Sequence, residues 1–454
     1  MPARLIESLA TTEPLANLFS DQSVLQAMLD FESALAKAEA GVGVIPQSAA
    51  SAIRKVAKAE NFDTATLAAA TLRAGTPGIP LAKLLTEKVG AISSDAAGYV
   101  HRGATSQDVA DTALILLLKH AEKILHNDVL RLTRSLKQLS QEHKHTVMLG
   151  RTLMQPAPPV TFGLKASEWF ASIQQSKKNL DDAFSAALVL QFGGASGTLA
   201  SFGKKGIEVA RALASELKLA CSEAPWHTQR ERLATLMCAC GVLTGALGKM
   251  ARDISLLMQS EIAELAEPGG DGRGGSSTMP HKTNPIGCAL TLSAAQRVPG
   301  LVASFLSGMV QEHERGVGGW QAEWPTVASI IQATGLAVAS MAEVAEGLTI
   351  NAPRMRSNID ATQGAIFAER ASLVLGTKLG RNVAHKILQD AVKKSSKQKR
   401  RLSEVLAEIP DVTKHLSSAT LRSLEIPEEY LGSTEAFRKA LLSPKLKMKK
   451  KKEQ

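Results

Sequence analysis

Long runs of the chain carry apolar residues at the three- and four-residue spacing of an α-helix. The clearest run is 230–265, which contains no proline. Its apolar positions recur every four and three residues in turn, a seven-residue repeat that places them on one stripe of a helix. These positions are Leu236, Cys240, Leu243, Leu247, Met250, Ile254 and Leu257. The repeat predicts one long helix whose apolar stripe faces the other helices of a bundle.

Four further segments show a helical pattern of similar length. They span 107–145, 160–189, 286–311 and 325–350. The chain ends on either side carry shorter helical stretches that prolines and glycines interrupt, and no strand-like alternation of useful length is visible. We therefore predict an all-α chain in three parts: an N-terminal helical domain at 1–104, a central long-helix bundle at 105–351 and a C-terminal helical domain at 352–454.

Composition agrees with a helical fold. Of the 454 residues, 44% are hydrophobic but only 4% are aromatic, whereas strands are enriched in aromatic and β-branched residues. The formal net charge is +10, and the tail 445–454, with six lysines and one glutamate, accounts for +5 of it. We expect the tail to be a solvated segment. The modest positive excess of the body suits a small anionic substrate.

No feature of the sequence indicates secretion or a membrane. The first residues lack a basic segment followed by an apolar run, and we expect no uncharged apolar stretch to reach the ~18 residues of a spanning helix. The four cysteines form no CxxC pair, and none of them needs an oxidising compartment. We expect a cytoplasmic protein whose partners include neither a membrane nor a nucleic acid.

Polar stretches that interrupt the helices are the candidates for chemistry, although each has a plain structural interpretation. In 101–112, HRGATSQDVADT, Thr105 and Ser106 precede a helix. Their hydroxyls can cap that helix or help its N-terminus to bind a carboxylate. In 150–159, GRTLMQPAPP, the polar groups can be ordinary surface residues. His227, in PWHTQRER at 225–232, can be a buried structural histidine.

The stretch 269–285, GGDGRGGSSTMPHKTNP, is harder to explain as structure alone. A linker does not need MPHKTNP, and a phosphate-binding P-loop is excluded because GxxxxGK[ST] is absent. Glycines let backbone N–H groups turn towards a ligand, and a mobile glycine loop suits a lid that orders on binding. The stretch therefore predicts a lid with hydroxyls, followed by a cationic and amide platform.

Three of these stretches resemble the motifs of the fumarase/aspartase superfamily, and they occur in its order. GSSTMPHKTNP at 275–285 resembles GSSxMPxKxNP, GATSQDVADT at 103–112 resembles the first motif, and GRTLMQPA at 150–157 the second. The resemblance implies an all-α, three-domain subunit. It also implies a homotetramer with a central helix bundle and with active sites that are shared between subunits.

Within the superfamily, the chain resembles the carboxymuconate cycloisomerases over nearly its whole length. The matching stretches include QFGGASGTLA at 191–200, PWHTQRERL at 225–233 and QEHERG at 311–316. The resemblance implies that a carboxylate of 3-carboxy-cis,cis-muconate adds across a C=C bond of the same molecule, in the protocatechuate branch of aromatic catabolism. The reaction passes through an aci-carboxylate, whose extra charge needs donors arranged in advance. No metal-ligand spacing appears, and no cofactor is expected.

The resemblance also implies roles for individual residues. Ser277 would handle the α proton, and Lys282 and Asn284 would bind the aci-carboxylate. Arg315 would also contact the small tricarboxylate, and we place it with Ser277 and Lys282 as a catalytic residue. The residues expected to bind the substrate are His101, Thr105, Ser106, Arg151, Thr152, Gln155, His227, Ser276, Met279 and Asn284.

One departure from the family pattern bears on the reaction. Lyases such as adenylosuccinate lyase carry a proton-transferring histidine where this chain has Leu153. Leucine cannot transfer protons, whereas a carboxylate nucleophile is already ionised and needs no base. Lactone formation is therefore favoured. A muconate with a sulfonate in place of the 3-carboxylate and an adenylosuccinate-type lyase both stay open. A non-catalytic scaffold is disfavoured because Ser277, Lys282 and Asn284 are intact.

Overall fold

The computed structural model describes residues 5–270, 272–275, 278–279 and 282–443. Helices dominate this part of the chain, so the all-α fold class is confirmed. The first ten helices are α1 (Glu13–Leu18), α2 (Asp21–Gly41), α3 (Gln47–Val56), α4 (Thr64–Ala74), α5 (Gly78–Gly90), α6 (Ser94–Ala97), α7 (Ser106–Glu142), α8 (Phe162–Ala187), α9 (Gly206–Leu217) and α10 (Glu231–Leu257). The others are α11 (Ile286–Ser307), α12 (Gly319–Gly347), α13 (Ala352–Asp360), α14 (Ala368–Leu379), α15 (Arg381–Gln398), α16 (Leu402–Leu406), α17 (Pro410–Thr413), α18 (Ser418–Ser423) and α19 (Thr434–Leu442).

Strands and 3₁₀ segments are short. The strands are β1 (Val147–Thr152), β2 (Gln155–Thr161), β3 (Val189–Leu190), β4 (Ala220–Cys221), β5 (Leu265–Ala266) and β6 (Thr349–Ile350). They form three two-stranded pairs, of which β1–β2 and β5–β6 are antiparallel and β3–β4 is parallel. The 3₁₀ segments are Glu7–Ala10, Ala59–Asn61, Ala200–Lys205, Ala365–Phe367 and Pro427–Tyr430.

The five long helices that the apolar pattern predicted are present as α7, α8, α10, α11 and α12. The predicted stripe of α10 is buried along its whole length, since none of its seven residues is more than 5% exposed. The predicted start of α12 at 325 is wrong, because the helix begins at Gly319 and Pro325 lies inside it. A proline is a strong start signal, but it does not fix where a helix begins.

The hairpin of β1 and β2 was not predicted from the sequence, in which no strand-like alternation of useful length is visible. Prolines have no N–H to give, so a short, isolated pair of strands is where they can be accommodated. Gly150 is required by close packing: a Cβ at this position would lie 2.3 Å from the carbonyl oxygen of Pro158. The glycine and the prolines of GRTLMQPAPP therefore build a hairpin instead of breaking a helix.

Internal contacts divide the chain into two compact units. Unit 1 comprises 1–130, 175–249 and 289–341, and unit 2 comprises 131–174, 250–288 and 342–454. The predicted division at 104 and 351 is untested and stays a prediction. In unit 1 a core forms around α2, which packs against α3 and α9. In unit 2 one apolar cluster joins residues of α14 to α18, and a smaller one joins β1 to the segment 359–367.

Three helices are long and apolar enough to cross a membrane by length and composition alone, namely α10, α11 and α12. The expectation that no segment reaches this length is therefore wrong. The most apolar window of α10 is 61% buried inside the protein and that of α12 is 72% buried, whereas that of α11 is only 33% buried. Most of the apolar window of α10 and of α12 is thus packed inside the protein. That the protein has no membrane partner stays a prediction.

Candidate active site

Asp108, in the first turn of α7, is the point at which three of the polar stretches meet in unit 1. Its carboxylate is fully buried. Oδ1 lies 2.8 Å from Nε2 of His227 and accepts a hydrogen bond from the backbone N–H of Gly193 at 3.0 Å. Oδ2 accepts from the backbone N–H groups of Gly194 at 2.9 Å and Thr105 at 3.1 Å. One side chain thereby fixes GATSQD, QFGGASG and PWHTQR relative to one another.

One turn further along α7, Asp111 anchors a second buried network. Its carboxylate binds the guanidinium of Arg230, with Nη1 to Oδ2 at 2.7 Å and Nη2 to Oδ1 at 3.1 Å, and accepts a hydrogen bond from the indole of Trp320 at 3.0 Å. Arg230 is only 1% exposed. It also pairs with Glu323, which in turn accepts a hydrogen bond from Gln311 at 2.8 Å. The start of QEHERG is therefore fixed to α7 and to PWHTQR.

The loop QEHERG is fixed a second time through Arg315. The Nη2 of Arg315 donates to the carbonyl oxygens of Ala195, at 2.8 Å, and Gly194, at 3.4 Å. Among the described residues, its buried Nη1 has no hydrogen-bond partner. An unpaired buried guanidinium nitrogen is costly unless a ligand accepts from it. Arg315 is thus placed beside QFGGASG with a donor left for an anion.

Thr105 and Ser106 lie where the helix-cap interpretation expected them, at the N-terminus of α7. Both side chains are partly exposed. The start of α5 comes so close that a Cβ on Gly78 would lie 2.7 Å from the Cα of Ser106. The two hydroxyls therefore lie at a crowded helix N-terminus, the kind of site that favours an anion.

His101, just before this helix, has a left-handed backbone with φ of 55°. Its Nδ1 lies 2.6 Å from Oε1 of Glu32, which is 2% exposed. Burial, the largest single influence, lowers the pKa of the imidazole, but Glu32, Asp108 and Glu39 together raise it by more, so that the pKa lies above its usual 6.5. The cationic form of His101 is therefore more stable than that of an ordinary histidine.

Arg151, in unit 2, forms a bidentate ion pair with Glu264. Its Nη2 lies 2.7 Å from Oε1 and its Nη1 lies 3.0 Å from Oε2 of that carboxylate, which is fully buried. Asn358 donates a further hydrogen bond to Oε1 at 2.7 Å. The guanidinium predicted to contact substrate is therefore occupied by a protein carboxylate.

The turn between β1 and β2 presents the other residues of the second motif. Thr152 and Gln155 are paired across the hairpin, and both are exposed. Leu153 and Met154 form the tip, with φ of 49° and 66°. They are 97% and 67% exposed. The position at which related lyases carry a histidine is thus the outermost point of a hairpin.

The base of the glycine loop is held within unit 2. Asn284 donates its backbone N–H to the Gly274 carbonyl oxygen at 2.8 Å and its side-chain N–H to Gly275 at 3.4 Å. Lys282 is exposed and donates its backbone N–H to the carbonyl oxygen of Met279, which is 42% exposed. Glu267 accepts hydrogen bonds from the first N–H groups of α11. Ser276 and Ser277 lie outside the described residues.

An apolar cavity in unit 1 does not coincide with the predicted residues. It has a volume of about 360 Å³ and is lined mainly by apolar groups beside Trp320 and Trp324, with Asp21 at its wall. No lysine, arginine or histidine lines it. A tricarboxylate needs positive charge, which this cavity lacks. Across the described residues, no group of three His, Cys, Asp or Glu side chains could hold a metal ion.

The structure groups the predicted residues into two sets. His101, Thr105, Ser106, His227 and Arg315 lie in unit 1, where the Asp108 network connects most of them. Arg151, Thr152, Gln155, Met279, Lys282 and Asn284 lie in unit 2. Sequence reasoning missed Glu32, Asp111, Arg230 and Glu323. Asp108 was not singled out either, although it lies within TSQD of the first motif.

A family model described as "Lyase" matches residues 8–300, and one described as "Adenylosuccinate lyase C-terminus" matches residues 364–440. The chain belongs to this lyase family, the fumarase/aspartase superfamily, as its three motifs indicated.

Within that family, the chain is similar to carboxymuconate cycloisomerases. It is 47% identical to 3-carboxy-cis,cis-muconate cycloisomerase of Bradyrhizobium diazoefficiens, over 93% of this chain and 94% of the relative. It is 43% identical to the enzyme of the same name from Pseudomonas aeruginosa, over 96% and 95%. The crystal structure of 3-carboxy-cis,cis-muconate lactonizing enzyme from Pseudomonas putida superimposes with a TM-score of 0.91 at 42% identity, over 97% of this chain and 98% of that one.

Proposed function

We propose that the chain is a cytoplasmic, cofactor-independent cycloisomerase that converts 3-carboxy-cis,cis-muconate to 4-carboxymuconolactone. A carboxylate oxygen of the substrate bonds to the β carbon of a C=C bond. The π electrons move towards the conjugated carboxylate, which becomes the aci-carboxylate, and the α carbon then takes up a proton. The similarity to cycloisomerases over nearly the whole chain supports this reaction.

The charges of the predicted residues suit this substrate. Three carboxylates must be bound without water, and the aci-carboxylate adds a further negative charge. Lys282 is exposed, and its ammonium forms no ion pair with any of the described residues. Arg315 has an unpartnered buried Nη1, and the pKa of His101 lies above its usual 6.5. These cations would bind the carboxylates, while Asn284 and the hydroxyls of Thr105 and Ser106 would orient them.

The observation that favours lactone formation over elimination is the hairpin tip at Leu153. The turn from Thr152 to Gln155 carries no titratable side chain, so no acid or base from this turn can assist the departure of an amine. Intramolecular attack by a carboxylate needs none, because the nucleophile is ionised at neutral pH.

A comparison of substrates tests the proposal. The purified enzyme is mixed in turn with 3-carboxymuconate, 3-sulfomuconate, unsubstituted muconate and adenylosuccinate, and the loss of the conjugated chromophore is followed in the ultraviolet. We expect the highest kcat/KM with 3-carboxymuconate. Faster turnover of the sulfonate would reassign the substrate. Turnover of adenylosuccinate alone would reassign the chain to the eliminating lyases.

We also propose a homotetramer whose active sites are shared between subunits, as the family resemblance implies. Apolar residues left exposed on long helices support it, notably Val242, which is 56% exposed in the middle of α10, and Leu306, which is 42% exposed on α11. Light scattering after size-exclusion chromatography should give four times the chain mass of 48.1 kDa. Val242→Lys should lower this mass and abolish activity, because a charge cannot be buried unpaired. Leu72→Lys, on the short helix α4, serves as the control and should leave the mass unchanged.

A further inference from the structure

His101, one of the cations proposed to bind the substrate, forms a hydrogen bond with Glu32, to which no role has yet been assigned. The Nδ1 of His101 lies 2.6 Å from Oε1 of Glu32, a separation typical of a charge-assisted hydrogen bond. Glu32 lies on α2, inside the core of unit 1, with only 2% of its surface exposed. His101 is 20% exposed. The pair therefore joins a fixed carboxylate in the core to an imidazole that a ligand can reach.

Backbone geometry shows that the imidazole is held in place. His101 has φ of 55°, in the left-handed region that a side chain other than glycine occupies at a cost. Such a conformation persists when the surroundings fix it, and the bond to Glu32 is directional. Because Nδ1 is engaged, Nε2 is the nitrogen left to a ligand, and it has no hydrogen-bond partner among the described residues.

Two acids and one arginine are the other titratable groups near the pair, and of the acids Glu39 is largely protonated below its pKa of about 8. On α2, two turns from Glu32, lies Glu39, which is 1% exposed. On α7 lies Asp108, which is bound to His227. Arg102, the neighbour of His101, opposes them as a cation and acts on Glu39. Burial alone would lower the pKa of His101, but Glu32, Asp108 and Glu39 together raise it.

We propose that Glu32 is a positioning residue, which holds the imidazole of His101 in its cationic form so that Nε2–H binds a substrate carboxylate. The inference rests on the proposed function, because it assumes an anionic substrate. A neutral imidazole bound through Nδ1–H would present a lone pair at Nε2 and repel a carboxylate, whereas the cation presents a donor. Glu32 thus decides whether His101 attracts or repels the substrate.

The variant Glu32→Gln tests this inference, with Glu39→Gln as the matched control from the same helix. Kinetics with 3-carboxymuconate are measured at pH 5.5 and pH 7.5, and the ring of each ¹³C-labelled histidine is titrated by NMR, with His101→Gln identifying the signal. We expect Glu32→Gln to lower the midpoint of His101 by about one pH unit or more. We expect KM to rise about tenfold at pH 7.5 but much less at pH 5.5, where the ring is protonated without Glu32, while kcat changes little.

Glu39→Gln should change KM by less than about twofold at either pH, because that carboxyl is largely protonated below its pKa of about 8 and glutamine resembles the acid. In the His101→Gln background, Glu32→Gln should have no further pH-dependent effect. A loss of activity that is equal at both pH values would assign Glu32 a purely structural role and overturn the inference.

The wild-type titration keeps the inference testable even if Glu32→Gln fails to fold. A His101 midpoint at or below about 6.5 in the wild-type enzyme would overturn it. If the wild-type enzyme does not turn over any muconate, the proposed function fails, while the NMR midpoint still reports separately on the pair.

Discussion

The Nε2 of His227 lies 2.8 Å from Oδ1 of Asp108, and both side chains are almost completely buried. Because the same carboxylate accepts backbone N–H groups from Gly193 and Gly194, it acts as an acceptor only, and the proton of the contact belongs to Nε2. This fixes the tautomer of His227 and leaves Nδ1 for other partners. Asp108 thereby decides the orientation of a histidine that the sequence marks as a substrate contact.

Asp108→Asn should lower kcat/KM by about 10- to 100-fold, since a misplacement of about 1 Å at a site can cost about 100-fold. An asparagine side chain has only one acceptor oxygen for the several donors that converge here. At least one buried donor then loses its partner, at about 1–3 kcal/mol. Steady-state kinetics and thermal unfolding measure the two effects. Asp95→Asn, at an exposed position, is the control, and an Asp108→Asn enzyme with wild-type kcat/KM would contradict the role of the carboxylate.

Arg151→Met should act on stability more than on substrate binding. Its guanidinium is bound to the fully buried Glu264, and the loss of one partner from a buried pair costs about 3–5 kcal/mol. Because Arg151 is 22% exposed, we expect about 3 kcal/mol, measured by urea unfolding. Glu264→Gln should destabilise less, since glutamine can still accept from Arg151 and Asn358. A KM that rises more than about tenfold in folded Arg151→Met would instead support Arg151 as a substrate contact.

The helices were predictable because their evidence is repeated along the chain. The stripe of α10 offers seven apolar positions, and each added position reinforces the same period, so the helix and its buried face were both found. The end of a helix has no such repetition. The start of α12 was placed at 325, whereas the helix begins at Gly319. The hairpin at 147–161 was missed because its prolines and its exposed tip, Leu153, conceal the alternation of a strand.

The candidate site was predictable only in part, for a physical reason. Motif residues such as Thr105 and Lys282 lie in short polar stretches that can be recognised in the sequence. Glu32 and Glu323 lie in helices, where a glutamate is unremarkable, and their burial depends on contacts with residues 69 and 93 positions away. The spacing of residues along the chain cannot predict such long-range pairs. Asp108 was visible but ambiguous, because an acid in the first turn of a helix also has an ordinary capping role.

Glu39 makes stability depend on pH. Burial raises the pKa of this carboxyl from 4.5 to about 8, and the neighbouring Glu32 raises it further, while Arg102 and His101 oppose the shift. Between pH 4.5 and 8 the folded state therefore holds a proton that the unfolded state has released. The free energy of unfolding must then fall as pH rises through this window. We expect the Tm of the wild-type enzyme to fall more steeply from pH 5 to pH 8 than the Tm of Glu39→Gln.

The matched control for this titration is Glu60→Gln, at an exposed position in the same unit. Its Tm should follow the wild-type curve at every pH. Wild type and Glu39→Gln with parallel curves would show that the carboxyl titrates normally in the folded protein.

Ser277→Ala should lower kcat by at least about 100-fold, because transfer of a proton by a positioned group contributes about 100- to 10,000-fold. Ser277 lies outside the described residues, and its role follows from the GSSTMPHKTNP motif. The adjacent Ser276→Ala is the closest control, since Ser276 is predicted to bind substrate and its loss should raise KM more than it lowers kcat.

Exchange of the α proton of the lactone with deuterated solvent separates the two roles. Ser277→Ala should stop this exchange, while Ser276→Ala should only weaken it. If Ser277→Ala kept most of its kcat and its exchange rate, the proton would have to come from another group. Lys282 would then be the first alternative proton donor to replace.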